Sequence, residues 1–451
     1  MRDLVVFAIV MLSLPLAFRR PFLGLLVFSW LAYMRPQDLC WGFARSMRFS
    51  FFAAIAMILG WFAHEIGRRR FVIWDLRTAL MALLLAATSV SLVFAEKIDE
   101  YVIRYYIEFL KIILIALFTT GQVDSKERLR LLLWTICLSL GFYGIKGGIF
   151  GILSGGSPIL RGPGGMLEDN NDFALGLVMN IPLLVYLGRA EKKPWVRLGC
   201  DVGVGLTLIT ILLTHSRGGF LAAVATLLLI AWRSGKLIRA MASLLVLALL
   251  FFTFAPTHVV ERIASIGKGG EERSANARLI SWTIALRMID ANPVLGVGLR
   301  NFQNHWVRHS EGVAAEGGFA YVAHNSYLQI WAEGGTPAFA AYILLLGSVF
   351  FACRRVRAYA RARDDLEWAR LYANLFETVL IGFLVGAVFL NRGHFDLIYH
   401  DLAMVTALLV LVRTARRADP ARAAGAPRGL TFTWQPAVAG PVPLPRWGRL
   451  A

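Results

Sequence analysis

The sequence is dominated by apolar blocks that are long enough to cross a bilayer. A membrane-spanning helix needs about 20 consecutive apolar residues, and the segment LLVLALLFFTFA at 244–255 has no polar face. Hydrophobic residues make up 57% of the 451 positions, and only 17% are charged, which is few for a soluble protein of this length. Because backbone groups in lipid must be hydrogen-bonded within the chain, we expect an all-α polytopic membrane protein.

The positions of these blocks predict about 12–13 transmembrane helices. The first two blocks are short and joined by Arg-Arg-Pro, so they form either a tight hairpin or one broken element. The apolar segments lie at about 4–18, 22–34, 49–66, 74–95, 102–120, 129–145, 172–188, 198–214, 219–232, 237–255, 335–352, 372–390 and 399–413.

Basic residues are concentrated in every second connection, which predicts the orientation. Lys and Arg accumulate in the cytoplasmic loops of membrane proteins. The net charge of +18 is therefore interpreted as cytoplasmic loops facing membrane lipids, and not as nucleic-acid binding, since no basic–aromatic module is present. We predict a transmembrane domain at 1–414 and a disordered, basic, cytoplasmic tail at 415–451.

The remaining connections form the opposite face, and 256–334 is by far the longest of them. Within it, Leu279, Trp282, Leu286 and Ile289 recur at helical spacing. This spacing predicts an amphipathic helix that lies on the membrane or on the bundle, and the Asn-Pro pair that follows ends it. The four cysteines have no metal-binding spacing and are interpreted as core thiols.

Isolated arginines on this second face point to an anion. Arg217 lies at the junction of two apolar spans, where a guanidinium is costly unless it meets an anion or snorkels to the headgroups. Arg161 lies in a glycine-rich loop, where backbone N–H groups can approach a ligand closely. Arg278 lies near the start of the loop helix, where anions are favoured, with a solvated surface arginine as its alternative.

The polar run Glu168-Asp169-Asn170-Asn171-Asp172 leads into an apolar span. One such residue suffices to cap a helix, so the run is either a cap or a cap together with part of a site. Its carboxylates also leave a metal site open as an alternative.

His324 stands in AYVAHNSYLQIWAEGG (320–335), beside Asn325 and Ser326. A lone histidine is more often structural than catalytic. A neutral imidazole with a pKa near 6.5 can nevertheless accept a proton from a hydroxyl, and arginines can hold a diphosphate. Together they indicate attack of a hydroxyl on a carbon that carries a lipid-diphosphate leaving group.

Several motifs, in this order, resemble the O-antigen ligase and polymerase superfamily. They are HSRGG (215–219), the loop helix from Arg278 to NPVLGVGLRNF (292–302), and HNSYLQIWAEGGTPA (324–338). The stretches WLAYMRPQDLCWGFA (30–44) and RGPGGMLEDNNDFAL (161–175) are similar to the branch of exosortase-associated O-glycosylation ligases. The resemblance covers residues from about 20 to 415.

This resemblance implies a GT-C-type glycosyltransferase at the periplasmic face of the bacterial inner membrane. The donor would be an undecaprenyl-diphosphate-linked glycan, the acceptor lipid A–core oligosaccharide, and the reaction inverting. By motif position, His324 would be the general base, and Arg161, Arg217 and Arg278 would grip the diphosphate. The first external loop lacks a DxD or ExD pair, which implies a reaction without metal or cofactor. The candidate supporting residues are His215, Asn325, Asn170, Asn171, Asp169 and Arg392.

Two alternatives remain. A polymerase or a protein O-oligosaccharyltransferase would use the same donor with another acceptor. A transporter for lipid-linked sugars would carry polar residues at mid-membrane, whereas the candidate residues here cluster at one face, which favours an enzyme.

Overall fold

The computed structural model describes residues 1–235, 270–312, 321–361 and 363–417, with backbone only for 270–275. Within these ranges the chain is helical and carries no strand. The described helices, numbered in chain order, are α1 (Arg2–Arg19), α2 (Pro21–Tyr33), α3 (Phe49–His64), α4 (Leu76–Val93), α5 (Glu100–Gln122), α6 (Lys126–Leu153), α7 (Asn170–Ala190), α8 (Pro194–Leu213), α9 (Arg217–Arg233), α10 (Gly270–Ala291), α11 (Trp306–His309), α12 (Ser326–Ala360), α13 (Glu367–Ala387) and α14 (Asp396–Arg417).

The helices begin where capping chemistry places them. Asp75, Asp99 and Ser125 accept backbone N–H groups at the starts of α4, α5 and α6, which satisfies donors that a helix start leaves unpaired. Pro21 and Pro194 are the first residues of α2 and α8, a position that needs no N–H.

The prediction of an all-α polytopic membrane protein is confirmed. Within the described ranges, seven helices are long and apolar enough to cross a membrane: α4, α6, α7, α8, α12, α14 and the segment Asp364–Ala387 that includes α13. The total of about 12–13 spans stays a prediction, because α2 and α3 are shorter apolar helices and the predicted span at 237–255 lies outside the described residues. Most of the predicted tail at 415–451 also lies outside them.

Helices α7 and α14 form the centre of the bundle, and most of their residues are buried. Helix α7 packs against α6, α8, α9 and α13, whereas α14 packs against α5, α12 and α13. Small residues allow close approach between spans. At Gly148 of α6, for example, a Cβ would lie 2.4 Å from the carbonyl oxygen of Leu206 on α8.

The connections separate into two ends, which match the alternation of charge in the sequence. At the basic end, Arg69 pairs with Asp124 at 2.7 Å and Arg357 with Glu377 at 2.6 Å. At the opposite end, which we call the loop end, the connections 34–48, 94–99, 154–169, 214–216, 292–312, 321–325 and 388–395 meet.

The predicted loop helix is present as α10, but it begins at Gly270, so Arg278 lies about two turns inside the helix and not near its start as predicted. The predicted apolar stripe is only partly buried, since Ile289 is buried and Trp282 is half-buried. Its Leu279 and Leu286 are 57% and 53% exposed. The buried face consists of Ile284, Ala285, Met288 and Ile289, because α10 packs on α12 and so lies on the bundle. Apolar residues occupy more than one face of α10, and only the tertiary partner selects among them.

The motif NPVLGVG (292–298) fits into a break in α12. The break lies at Gly335, whose φ is +69° and where a Cβ would lie 2.0 Å from the Val294 carbonyl oxygen. Val297 N donates to Ala332 O at 2.8 Å, and Thr336 N donates to Pro293 O at 2.8 Å. The motif therefore satisfies backbone groups that the break exposes and fixes the long connection to the helix that begins after His324.

Candidate active site

His324 lies directly before Asn325, the N-cap of α12, with a left-handed φ of +48°. The Asn325 side chain accepts two backbone N–H groups of the helix. The next residue, Ser326, donates its hydroxyl to Leu390 O at 2.7 Å and accepts the Arg392 N–H at 2.9 Å. The strained backbone of His324 is thus held in place by two contacts of the residues that follow it, one with α12 and one with the 388–395 connection.

His215 has the same setting at the start of α9. Its φ is +56°, and Ser216 after it caps the helix by accepting Gly219 N–H at 3.1 Å. The Asn170 side chain donates to the Thr214 carbonyl at 2.8 Å. This bond ties the turn before α9 to the first residue of α7.

The starts of α7, α9 and α12 meet around the 388–395 connection. A Cβ at Gly219 would lie 2.5 Å from the Cβ of Ala174, and one at Gly218 would lie 2.9 Å from the Cβ of Phe389. Arg392, from the same connection, forms an ion pair with Asp172 of α7. Although side chains cap these helix starts, each start still carries a partial positive charge, which favours an anion.

The electrostatics link His324 to residues of three other elements. Burial lowers the pKa of His324 below its usual 6.5, Arg278 lowers it further, and Asp169 opposes this change. Burial also lowers the pKa of Arg278, and the nearby Arg217 adds to that effect. Both effects favour the neutral imidazole, the form that can accept a proton, near the Arg278 guanidinium, which in turn lies near Arg217. Arg278 forms no ion pair with any residue that the structure describes.

A backbone contact places Arg161 close to Asp169, the residue before α7. It pairs with Asp169 across the loop in a single bridge, and Gly162 N donates to Glu168 O at 2.8 Å. Its side chain is exposed and has no ion pair within the described ranges. The bridge places Arg161 next to the start of α7.

Two glycines of the loop that carries Arg161 lie close to side chains of the 34–48 connection. A Cβ at Gly165 would lie 2.3 Å from Nη1 of Arg35, and one at Gly164 would lie 2.8 Å from Oδ2 of Asp38. Sequence reasoning did not select Arg35 for the site. The signal available was the one used for Arg161, an isolated arginine in an external connection.

The polar run before α7 has structural partners. Asp169 is the N-cap, since its Oδ1 accepts the Asn171 backbone N–H at 2.9 Å and the Asn171 side chain at 3.0 Å. The Asp172 carboxylate forms an ion pair with Arg392. In the described part of the chain, no group of three or more His, Cys, Asp or Glu is placed to hold a metal ion.

The comparisons with known families agree with this geometry. Residues 202–343, which include His215, Arg217, Arg278 and His324, match the family model described as O-Antigen ligase. The match supports the O-antigen ligase and polymerase superfamily for this part of the chain. Residues 1–191, with Arg161 and the start of α7, match a family of unknown function (DUF5935). No curated protein matches the chain.

The matched domain supports a function of the ligase or polymerase type, and the seven long apolar helices indicate a multi-pass membrane protein.

Proposed function

We propose that this protein is an O-antigen ligase that transfers a glycan from undecaprenyl diphosphate to a hydroxyl of lipid A–core oligosaccharide. One observation carries the proposal. Burial and the nearby Arg278 keep the pKa of His324 low, and Arg278 in turn lies near Arg217, the first residue of α9. This combination provides a base together with a site for an anionic diphosphate leaving group.

In the proposed reaction, His324 accepts the proton of the acceptor hydroxyl. The acceptor oxygen then forms a bond to the anomeric carbon, and the bond from that carbon to the diphosphate oxygen breaks. The electron pair leaves with undecaprenyl diphosphate, whose charge is stabilised by Arg217, Arg278, Arg161 and the helix starts. Direct displacement inverts the anomeric carbon, and no metal or cofactor takes part.

The surrounding residues support this reaction by holding the groups in place. Asp169 stabilises the imidazolium that forms, because its carboxylate favours the charged histidine. The pair Arg392–Asp172 and the hydroxyl of Ser326 hold the 388–395 connection against the starts of α7 and α12. We place the loop end in the periplasm and the basic end in the cytoplasm, since Lys and Arg favour the cytoplasmic side of the inner membrane.

Reconstitution tests the proposal. The purified protein is placed in liposomes with an undecaprenyl-diphosphate-linked glycan, in excess EDTA, together with lipid A–core, a second glycan or an acceptor peptide. We expect the glycan on lipid A–core. Transfer to the second glycan would identify a polymerase instead, and transfer to the peptide would identify a protein O-oligosaccharyltransferase. Loss of activity in EDTA that Mg²⁺ or Mn²⁺ restores would contradict the metal-free reaction.

The base is tested by His324→Gln in the same assay. A general base contributes on the order of 10² to 10⁴ in rate, so we expect transfer to fall by that factor while donor binding is retained. His64→Gln is the matched control, because His64 is exposed at the basic end of α3. A His324→Gln protein that transfers glycan at the native rate would remove the imidazole from the mechanism.

A further inference from the structure

An apolar groove lies between α2 and α6, in the region that matches the family of unknown function. Its volume is ≈ 520 Å³, and Leu26, Trp30, Met34, Leu138 and Phe142 line it. Two hydroxyl residues of α6 also line the groove, but both donate to carbonyl groups of their own helix, which leaves the walls apolar.

A lysine lies at the loop end of this groove. Lys146 is exposed on α6, with its Nζ 6.0 Å from the ring centroid of Phe142. It precedes the end of α6 by seven residues, or about 10 Å of helix. It forms no ion pair with any described residue. A lysine on the lipid-facing side of an apolar helix is costly unless its amine reaches headgroups or an anion.

The groove is continuous with the candidate site on two sides. On the α2 side, Met34 is followed by Arg35, whose guanidinium lies against Gly165 of the loop that carries Arg161. The hydroxyl of Tyr143 on α6 donates to Met34 O at 2.6 Å and fixes this turn.

On the α6 side, the residue after Lys146 faces the same loop. A Cβ at Gly147 would lie 3.2 Å from Ile159, and Ile159 N donates to Leu213 O at 2.8 Å at the end of α8. Arg217 begins the next helix. The end of the groove therefore lies beside the loop that carries Arg161 and beside the turn that precedes Arg217.

We propose that this groove holds the isoprenoid chain of the lipid-diphosphate donor, with Lys146 contacting the donor's phosphates as they pass to the arginines. The inference rests on the proposed function and gives the N-terminal region a role in it. The groove lies between α2 and α6 and ends beside the loop that carries Arg161, so a lipid in it would place its headgroup at the candidate site.

Chain length of the donor tests the inference. Leu138→Trp fills the groove at a position that is 62% exposed and therefore tolerates a larger side chain. With the undecaprenyl donor, we expect KM to rise about tenfold, or about 1.4 kcal/mol, at unchanged kcat. With a farnesyl-diphosphate donor of the same glycan, we expect no change. Leu83→Trp on α4, at a site that is 51% exposed, is the matched control and should change neither KM.

A second variant distinguishes binding of the diphosphate headgroup from binding of the isoprenoid chain. Lys146→Gln should raise KM for both donors, since both carry the diphosphate. The inference is overturned if Leu138→Trp affects both donors equally or neither of them.

If the native protein transfers neither donor, the proposed function fails and binding alone decides on the groove. Undecaprenyl diphosphate binding in detergent should then weaken about tenfold in Leu138→Trp. Unchanged binding, or binding that phosphatidylglycerol displaces equally well, would overturn the groove assignment.

Discussion

At the scale of single residues, backbone strain is concentrated where the chemistry is proposed. Among the described residues, the non-glycine positions with left-handed φ are Arg35, His215, Arg300 and His324. All four lie in connections of the loop end. Such conformations persist only where surrounding contacts enforce them, and they cluster at functional sites. His324 shows the cause, because Asn325 and Ser326 after it are both committed to hydrogen bonds.

The pH dependence of transfer reports the charges around His324. The neutral form of His324, which acts as the base, is lost as the pH falls through the pKa of His324 in the folded protein. Burial and Arg278 hold that pKa below 6.5. The acidic limb of kcat/KM should therefore lie below pH 6.5. Arg278→Gln removes a like charge, so the pKa rises and the limb moves to higher pH. Asp169→Asn removes an opposite charge, so the limb moves to lower pH.

Arg104→Gln is the control for this pH profile, since Arg104 is exposed on α5 and pairs with Glu100. It should leave the acidic limb in place. An acidic limb that stays fixed in both site variants would show that another group carries the titration.

At the scale of helices, the sequence predicted the positions of the helices, because these depend on the local hydropathy pattern. Each apolar segment that falls within the described residues coincides with a helix, because hydropathy and length are local properties. The buried face of α10 was predicted only in part, because packing against α12 buries Ile289 of the predicted stripe and leaves Leu279 and Leu286 exposed. The place of Arg35 against Gly165 was not predicted, because the two lie far apart in sequence and only the fold joins them.

The break in α12 can be tested with two glycines of the same helix. Gly335→Ala places a Cβ 2.0 Å from Val294 O at a φ of +69°, so we expect a loss of about 1–3 kcal/mol in unfolding free energy and faster proteolysis near 292–312. At Gly347 nothing lies within 4 Å of an added Cβ, so Gly347→Ala should be neutral or stabilise by about 0.5–1 kcal/mol. Thermal unfolding in detergent measures both. Equal stability of the two variants would contradict the fitted break.

At the scale of the whole molecule, the candidate site draws on both family matches and on residues beyond them. Arg161 and Asp169 come from the match at 1–191, whereas Arg217 and His324 come from the match at 202–343. Arg392 lies after both. The sequence predicted most members of this group one by one, but their meeting requires the complete bundle. Neither matched region alone contains the site.

The orientation of the bundle is the last test, because a periplasmic reaction requires the loop end to face the periplasm. The four native cysteines are buried, so single cysteines can be introduced and labelled with a membrane-impermeant maleimide. Glu168→Cys lies at the loop end and Lys192→Cys at the basic end, and both positions are exposed. In intact spheroplasts we expect labelling of Glu168→Cys alone, with Lys192→Cys labelled only after permeabilisation, since basic loops stay cytoplasmic. The reverse pattern would put His324 and the arginines in the cytoplasm, away from lipid A–core that has reached the outer leaflet, and the proposed ligase reaction would fail.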